Sequence, residues 1–166
     1  MILRPSTAAD EPDVRVVLQA AFGADEEANL VRTLHENGDV VASLVAVDDR
    51  IVGHILFSRL TIRTGSATHQ AVALAPLSVV PDRQRRGIGT ALVNEGLKRL
   101  REANESVVIV LGEPDYYGRF GFSADRARDL RSRYSGPAFM ALELVRGALD
   151  GISGDVVYPA AFDPFG

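Results

Sequence analysis

The sequence predicts an α+β domain whose central sheet is antiparallel at first, with the strands before and after its long helix running parallel. Three observations predict it. The apolar pattern has a helical period up to Gly38, changes to β-branched runs, and becomes helical again after Gly87. The runs Val41–Val47 and Ile51–Ile62 are joined by the polar turn Asp48-Asp49-Arg50, which makes a hairpin. A long amphipathic helix then separates two strands, and such a crossover returns the second strand parallel to the first.

Element by element, Asp10-Glu11-Pro12 precedes Val14, Val17, Leu18, Ala21 and Phe22. That is the spacing of a helix capped by Asp10, with Pro in its first turn and Gly23 as its stop. Asp25, Glu26 and Glu27 open a second helix, striped by Leu30, Val31 and Leu34 and ended by Asn37-Gly38. After the hairpin, Thr64-Gly65-Ser66 turns the chain into a third strand, Gln70–Val80. From Gly87, the positions Ile88, Leu92, Leu97 and Leu100 bury one helix face, while Asn94, Glu95, Lys98 and Arg101 stay wet. Ser106–Leu111 shows no alternation, the mark of a strand covered on both faces. Asp115–Phe120 reads as a short helix or turn, Phe139–Val145 as a late strand, and Val156–Tyr158 as an edge piece.

With 166 residues and 17.9 kDa, the chain has room for one domain, expected to span residues 1–166. It holds 18 Lys and Arg against 22 Asp and Glu, a net charge of −4, which disfavours nucleic-acid and anionic-membrane partners. Only Lys98 among the basic residues is a lysine. The absence of Cys removes disulfides, thiolate metal sites and a covalent cysteine intermediate. The longest aliphatic run, Val107–Leu111, is too short to span a bilayer, and the first residues lack the pattern of a secretory signal. A cytoplasmic protein, monomeric or homodimeric, is expected. His35, His54 and His69 have no metal-ligand spacing, so no metal is expected, and His54, flanked on its face by Val52 and Leu56, reads as a core or rim histidine.

The chemistry begins at Pro81-Asp82-Arg83-Gln84-Arg85-Arg86-Gly87-Ile88-Gly89-Thr90. A strand ends, a basic loop turns, and a helix opens on Gly-x-Gly. The glycines admit close backbone approach, and the unpaired N–H groups at the positive helix end suit a phosphate or pyrophosphate. The arginines add forked, charged donors. The plain alternative is a flexible helix entry with a solvated basic face. A dinucleotide fingerprint wants a small residue where Leu92 stands and an acid after the next strand, and a Walker loop wants a lysine. Both patterns fail here.

Gln84-Arg85-Arg86-Gly87-Ile88-Gly89-Thr90 resembles the Gln/Arg-x-x-Gly-x-Gly/Ala signature of the GNAT superfamily of acetyl-CoA-dependent N-acetyltransferases, and Leu77-Ser78-Val79-Val80-Pro81 is similar to the strand that leads into it. Tyr116-Tyr117-Gly118-Arg119-Phe120-Gly121-Phe122 resembles that family's second motif, an aromatic pair four residues ahead of Gly-Phe. The element order agrees from Met1 to Phe122. Gly112-Glu113-Pro114 departs from the pattern, since many relatives carry Asn there.

The resemblance implies a mixed, mostly antiparallel central sheet with a parallel fork and helices on both faces, acetyl-CoA as cosubstrate, and a small-molecule, peptide or protein amine as acceptor. Its pyrophosphate would lie on Gln84, Arg85, Arg86, Gly87, Ile88, Gly89 and Thr90, and its pantetheine arm on the backbone of Leu77, Ser78 and Val79. The reaction implied is direct attack of a primary amine in a ternary complex, with Tyr117 as acid to the leaving thiolate and Tyr116 as a packing residue. Glu113 follows the buried strand and is the candidate base, with Asp115 second; Glu113 could instead only cap the short helix. A non-catalytic acyl-CoA-binding or sensor domain of the same fold is the alternative function. Arg126, Arg128, Arg131 and Arg133 alternate with Asp125 and Asp129, which reads as a self-paired face, or as a dock for an acidic substrate or the coenzyme's 3′-phosphate. Tyr134-Ser135-Gly136-Pro137 is a turn that could wall the acceptor site.

Overall fold

The structure, a computed structural model, describes residues 1–165. Along the chain run β1 (Ile2–Pro5), α1 (Glu11–Phe22), α2 (Glu26–Glu36), β2 (Val40–Asp48), β3 (Arg50–Arg63) and β4 (Thr68–Val79). Then follow α3 (Ile88–Glu102), β5 (Val107–Leu111), α4 (Pro114–Gly118), β6 (Leu130–Arg131), β7 (Phe139–Glu143) and β8 (Gly154–Val157). The strands form one mixed sheet in the order β1-β2-β3-β4-β5-β7, with β8 paired to β3 and β6. As the α3 crossover requires, β4 and β5 are parallel, with Val72–Leu74 opposite Val108–Val110. Internal contacts gather into two compact units: Met1–Ser58 with Ala75–Leu100, and Arg59–Leu74 with the residues from Arg101 on.

In the first unit, the hairpin turn is tighter than the sequence suggests. Asp48 pairs with Arg50, and the turn is carried by Asp49 at φ 64°, a left-handed conformation that Asp tolerates through local hydrogen bonding. β3 is buried from Ile51 to Ser58, because helices cover both of its faces. On one face, a Cβ at Gly53 would lie 3.1 Å from Ile88 and Leu92 of α3, and Phe57 packs against Gly96. On the other, His54 feels the charge of His35 on α2. α1 contributes Val14, Val17 and Leu18 to this core, and α2 contributes Leu30, Val31 and Leu34.

In this unit one element has no counterpart in the sequence pattern and one expectation fails. The strand β1 has no strong period of its own. It exists because Ile2–Pro5 pairs antiparallel with Leu44–Val47. Asp10 does not cap α1: it sits in the αR region without a side-chain cap bond. Its carboxylate turns back instead, accepting from the Thr7 N–H at 2.7 Å and from both Arg4 guanidinium nitrogens at 2.7 and 2.9 Å. That forked pair holds the carboxyl well below its usual range.

In the second unit, β5 is buried from Val107 to Val110, as its unbroken apolar run predicts. Arg59 on β3 reaches across to the loop before β5. Its two terminal nitrogens lie 2.8 and 2.7 Å from the Glu105 carboxylate oxygens, and one also donates to the Ala71 carbonyl at 3.2 Å. The late strand stops at Glu143, short of Val145, because the Leu144 and Val145 N–H groups both turn to the Ser106 carbonyl. Residues 154–157 form the expected edge strand two residues early, opposite Thr61–Arg63, and the two-residue β6 beside it has no sequence signal.

Candidate active site

The anion loop lies wholly in the first unit. After β4, a 3₁₀ turn at Pro81–Arg83 leads through extended Gln84 to α3. Arg85 and Gly87 both take left-handed φ, 64° and 81°. Left-handed residues this close together curl the chain, turning successive N–H groups toward one side. At Gly87 the need is conformational, since a Cβ there would meet nothing within 4 Å. Ile88 and Gly89 open a fifteen-residue helix, so their N–H groups have no acceptor one turn back.

Side chains pin this loop in place. Arg83 donates to Asp48 at 2.6 Å and Arg50 pairs with Asp82 at 3.2 Å, tying the middle and the last residue of the 3₁₀ turn to the β2–β3 hairpin. Gln84 donates from Nε2 to the Val79 carbonyl at 2.9 Å. Thus its side chain braces the loop against the end of β4, with its second amide N–H and its Oε1 left over. Arg85 and Arg86 are exposed and pair with no carboxylate among the described residues. These two are the loop's available cations. On β4, Leu77 and Val79 are half-buried, while Ser78 is buried and its hydroxyl has no hydrogen-bond partner among the described residues. The pinning residues could have been suspected from Asp48 and Asp82 beside arginines, but pairs 35 and 32 residues apart leave no local pattern.

The two tyrosines belong to the second unit. Pro114, at the first helical position of α4, presets the turn. Glu113 precedes it in an extended conformation, exposed, and its side chain makes no cap bond. The capping role is therefore not taken up, and the carboxylate is free for chemistry. Tyr117 donates its N–H to the Glu113 carbonyl at 3.0 Å. Its ring meets Tyr116 edge-on at 5.0 Å and Phe122 at 5.9 Å. Burial, with a smaller contribution from Tyr116, pushes the Tyr117 hydroxyl up to about 12, so it keeps its proton at neutral pH. Tyr116 lies instead under the Arg119 guanidinium, 5.5 Å from the ring centroid.

Other candidates resolve differently. His54 is fully buried, with Nε2 3.1 Å from Ser43 Oγ and Nδ1 without a partner, and burial pushes it down to about 3. The arginine cluster pairs partly within itself and partly with later strands. Arg128 pairs with Asp125, Arg131 with Asp155 and Arg126 with Glu143, while Arg133 donates to the Phe162 carbonyl and meets no carboxylate among the described residues. A cavity of about 260 Å³ opens between α1 and α2 over Val14, Leu18 and Val31, and none of the residues expected in the site lines it. Among the described residues, no group of three His, Cys, Asp or Glu could hold a metal, and no helix is long and apolar enough to cross a membrane.

Comparison with known proteins identifies the family. Residues 3–124 match the model of the acetyltransferase (GNAT) domain. The chain is 36% identical to the N-acetyltransferase YhbS of Escherichia coli K12, over 99% of this chain and all of that one. The crystal structure of YhbS in complex with CoA superposes with a TM-score of 0.91, covering 99% of this chain and 93% of that one. A GNAT acetyltransferase from Brucella melitensis, solved with acetyl-CoA, is 35% identical with a TM-score of 0.81, over 98% and 97% of the two chains. The chain therefore belongs to the GNAT family of acetyl-CoA-dependent N-acetyltransferases.

Proposed function

We propose that this protein, acting in the cytoplasm, moves an acetyl group from acetyl-CoA to a primary amine by direct attack within a ternary complex. The observation that carries the reading is the loop before α3, where two arginines with no carboxylate partner among the described residues lead into a curled, N–H-rich backbone. That donor set suits a pyrophosphate, and the solved relatives were crystallised with CoA and acetyl-CoA. In this reading Arg85, Arg86 and the N–H groups of Gly87, Ile88, Gly89 and Thr90 hold the diphosphate. The backbone of Leu77, Ser78 and Val79 takes the amide-bearing arm.

An amine with a pKa near 10.4 is mostly protonated at pH 7 and must lose its proton before attack. Glu113, exposed and uncommitted, accepts it directly or through water. The amine nitrogen then bonds to the thioester carbonyl carbon, the carbon–sulfur bond breaks, and Tyr117 gives its proton to the departing sulfur; the second proton on the nitrogen is lost to water, and solvent returns a proton to Tyr117. A hydroxyl at about 12 is a donor at neutral pH and not a base, which supports that direction of transfer. With no Cys in the chain, no cysteine can take the acetyl group first.

Thiol release from acetyl-CoA over a panel of amines tests the reading. Tyr117→Phe, which removes only the hydroxyl, is expected to lower kcat by about 10²-fold with acetyl-CoA affinity nearly unchanged, the scale of lost acid catalysis. Tyr116→Phe is expected to be nearly silent. Acetyl-CoA binding without turnover on any amine would favour a sensor domain, and normal turnover by both variants would remove the acid role.

A further inference from the structure

We propose that Gly112 is a positioning residue: by lacking a Cβ it forms the seat on which the Tyr117 ring lies, and so sets where the Tyr117 hydroxyl is presented. This rests on the acid role proposed for Tyr117. A Cβ built on Gly112 would fall 2.9 Å from Tyr117 Cδ2, nearer still to Cε2, and 3.5 Å from Cζ. Even alanine therefore cannot coexist with the ring where it now lies.

The seat follows from helix geometry. Side chains on a helix lean toward its N-terminus, so a residue covers the turn before its own Cα. Tyr117 closes the single turn of α4 through its N–H bond to Glu113, and its ring leans back over the chain entering that turn, at Gly112. Phe122 and Tyr116 meet the ring edge-on, at 5.9 and 5.0 Å between centroids. The platform itself is anchored, because the Gly112 N–H donates to the Ala138 carbonyl at 3.0 Å. A new methyl at 112 thus displaces the ring and not the backbone. Nor is glycine needed here for conformation, since Gly112 is not among the positive-φ residues. Only the missing atom matters, and Gly→Ala is the matching test.

The experiment compares the wild type, Gly112→Ala, Tyr117→Phe and the double variant. It reads kcat, KM for acetyl-CoA, thermal melting, and the tyrosine nitrated by tetranitromethane, mapped by mass spectrometry. Gly112→Ala is expected to lower kcat about tenfold or more with KM within about twofold, the signature of a lost transition-state contact. It is also expected to expose Tyr117 to nitration several times faster than in the wild type, which a general loss of stability would not do selectively over Tyr116. In the double variant kcat is expected to equal that of Tyr117→Phe alone.

Wild-type kcat and nitration in Gly112→Ala, beside a slow Tyr117→Phe, would overturn the seat and leave the acid role standing. So would a further loss in the double variant as large as that in the wild-type background. Wild-type turnover by Tyr117→Phe removes the acid role and this assignment with it. Should Gly112→Ala fail to fold, Tyr117→Ala empties the seat. Gly112→Ala added to that background must then cost no melting temperature, and an undiminished cost overturns the proposal.

Discussion

Gly96 sits on the face of α3 that packs on β3, and its replacement by alanine separates two opposing effects. In an exposed helix interior, Gly→Ala stabilises by about 1 kcal/mol. Here the added Cβ would lie 2.5 Å from Phe57 Cζ and nearer still to Cε2. Carbon atoms prefer about 3.5–4.0 Å, so the ring must retreat by about 1 Å or more. Phe57 is fully buried, and there is no open side to retreat to. Overpacking of this kind costs about 1–3 kcal/mol, and a ring hemmed in on all sides belongs in the upper half of that range. After the helix gain, Gly96→Ala is expected to destabilise by about 1–2 kcal/mol, a fall in Tm of about 3–6 °C for a chain of this size. Urea unfolding followed by circular dichroism measures it. In a Phe57→Leu background, which withdraws the clashing ring atoms, the same change is expected to become neutral or stabilising. A stabilising Gly96→Ala in the wild type, or a cost undiminished in the Phe57→Leu background, would refute the contact as the cause.

Three further outcomes are expected. Arg86→Ala weakens acetyl-CoA binding by about 10- to 100-fold, the scale of a lost charged hydrogen bond, and Arg83→Ala by less, because Arg83 is engaged with Asp48; calorimetry that ranked them the other way would contradict the loop assignment. His54 titrates at about 3 in the folded chain against 6.5 when free, so between those values the unfolded chain binds the extra proton. Stability is thus full above pH 6.5 and falls as pH drops toward 3, by at most about 1.4 kcal/mol per unit; His54→Gln should flatten Tm against pH between 6.5 and 4, and an unchanged slope there would reject the assignment. Glu105→Ala strands the half-buried Arg59 and is expected to cost about 1–3 kcal/mol, whereas Arg59→Met with Glu105→Met costs less than that; equal losses in a urea titration would deny their coupling.

Much of the fold is legible in local pattern. The hairpin around Asp49, the helix over Ile88–Leu100 and the doubly covered strand Val107–Val110 all follow from periods of two, 3.6 and none. The parallel pairing of β4 with β5 follows from chain geometry, since a helical crossover brings the second strand back in the direction of the first. The residue types of the anion loop and the tyrosine pair are equally local, because a Gly-x-Gly helix entry and an aromatic doublet are read within a few positions.

What each of those residues does with its side chain was decided elsewhere. β1 exists only through hydrogen bonds to a strand some forty residues away, as the pairing of Ile2 with Val47 shows. Asp10 has the position of a cap but is drawn back by Arg4. Gln84 stands in the ligand signature, yet its amide braces the Val79 carbonyl. Arg59 and Glu105 meet across 46 positions of chain. Sequence period encodes which face of an element is apolar, because burial averages over many neighbours. A hydrogen bond or a ring contact depends on one partner at one distance, and that partner is supplied only when distant segments are brought together.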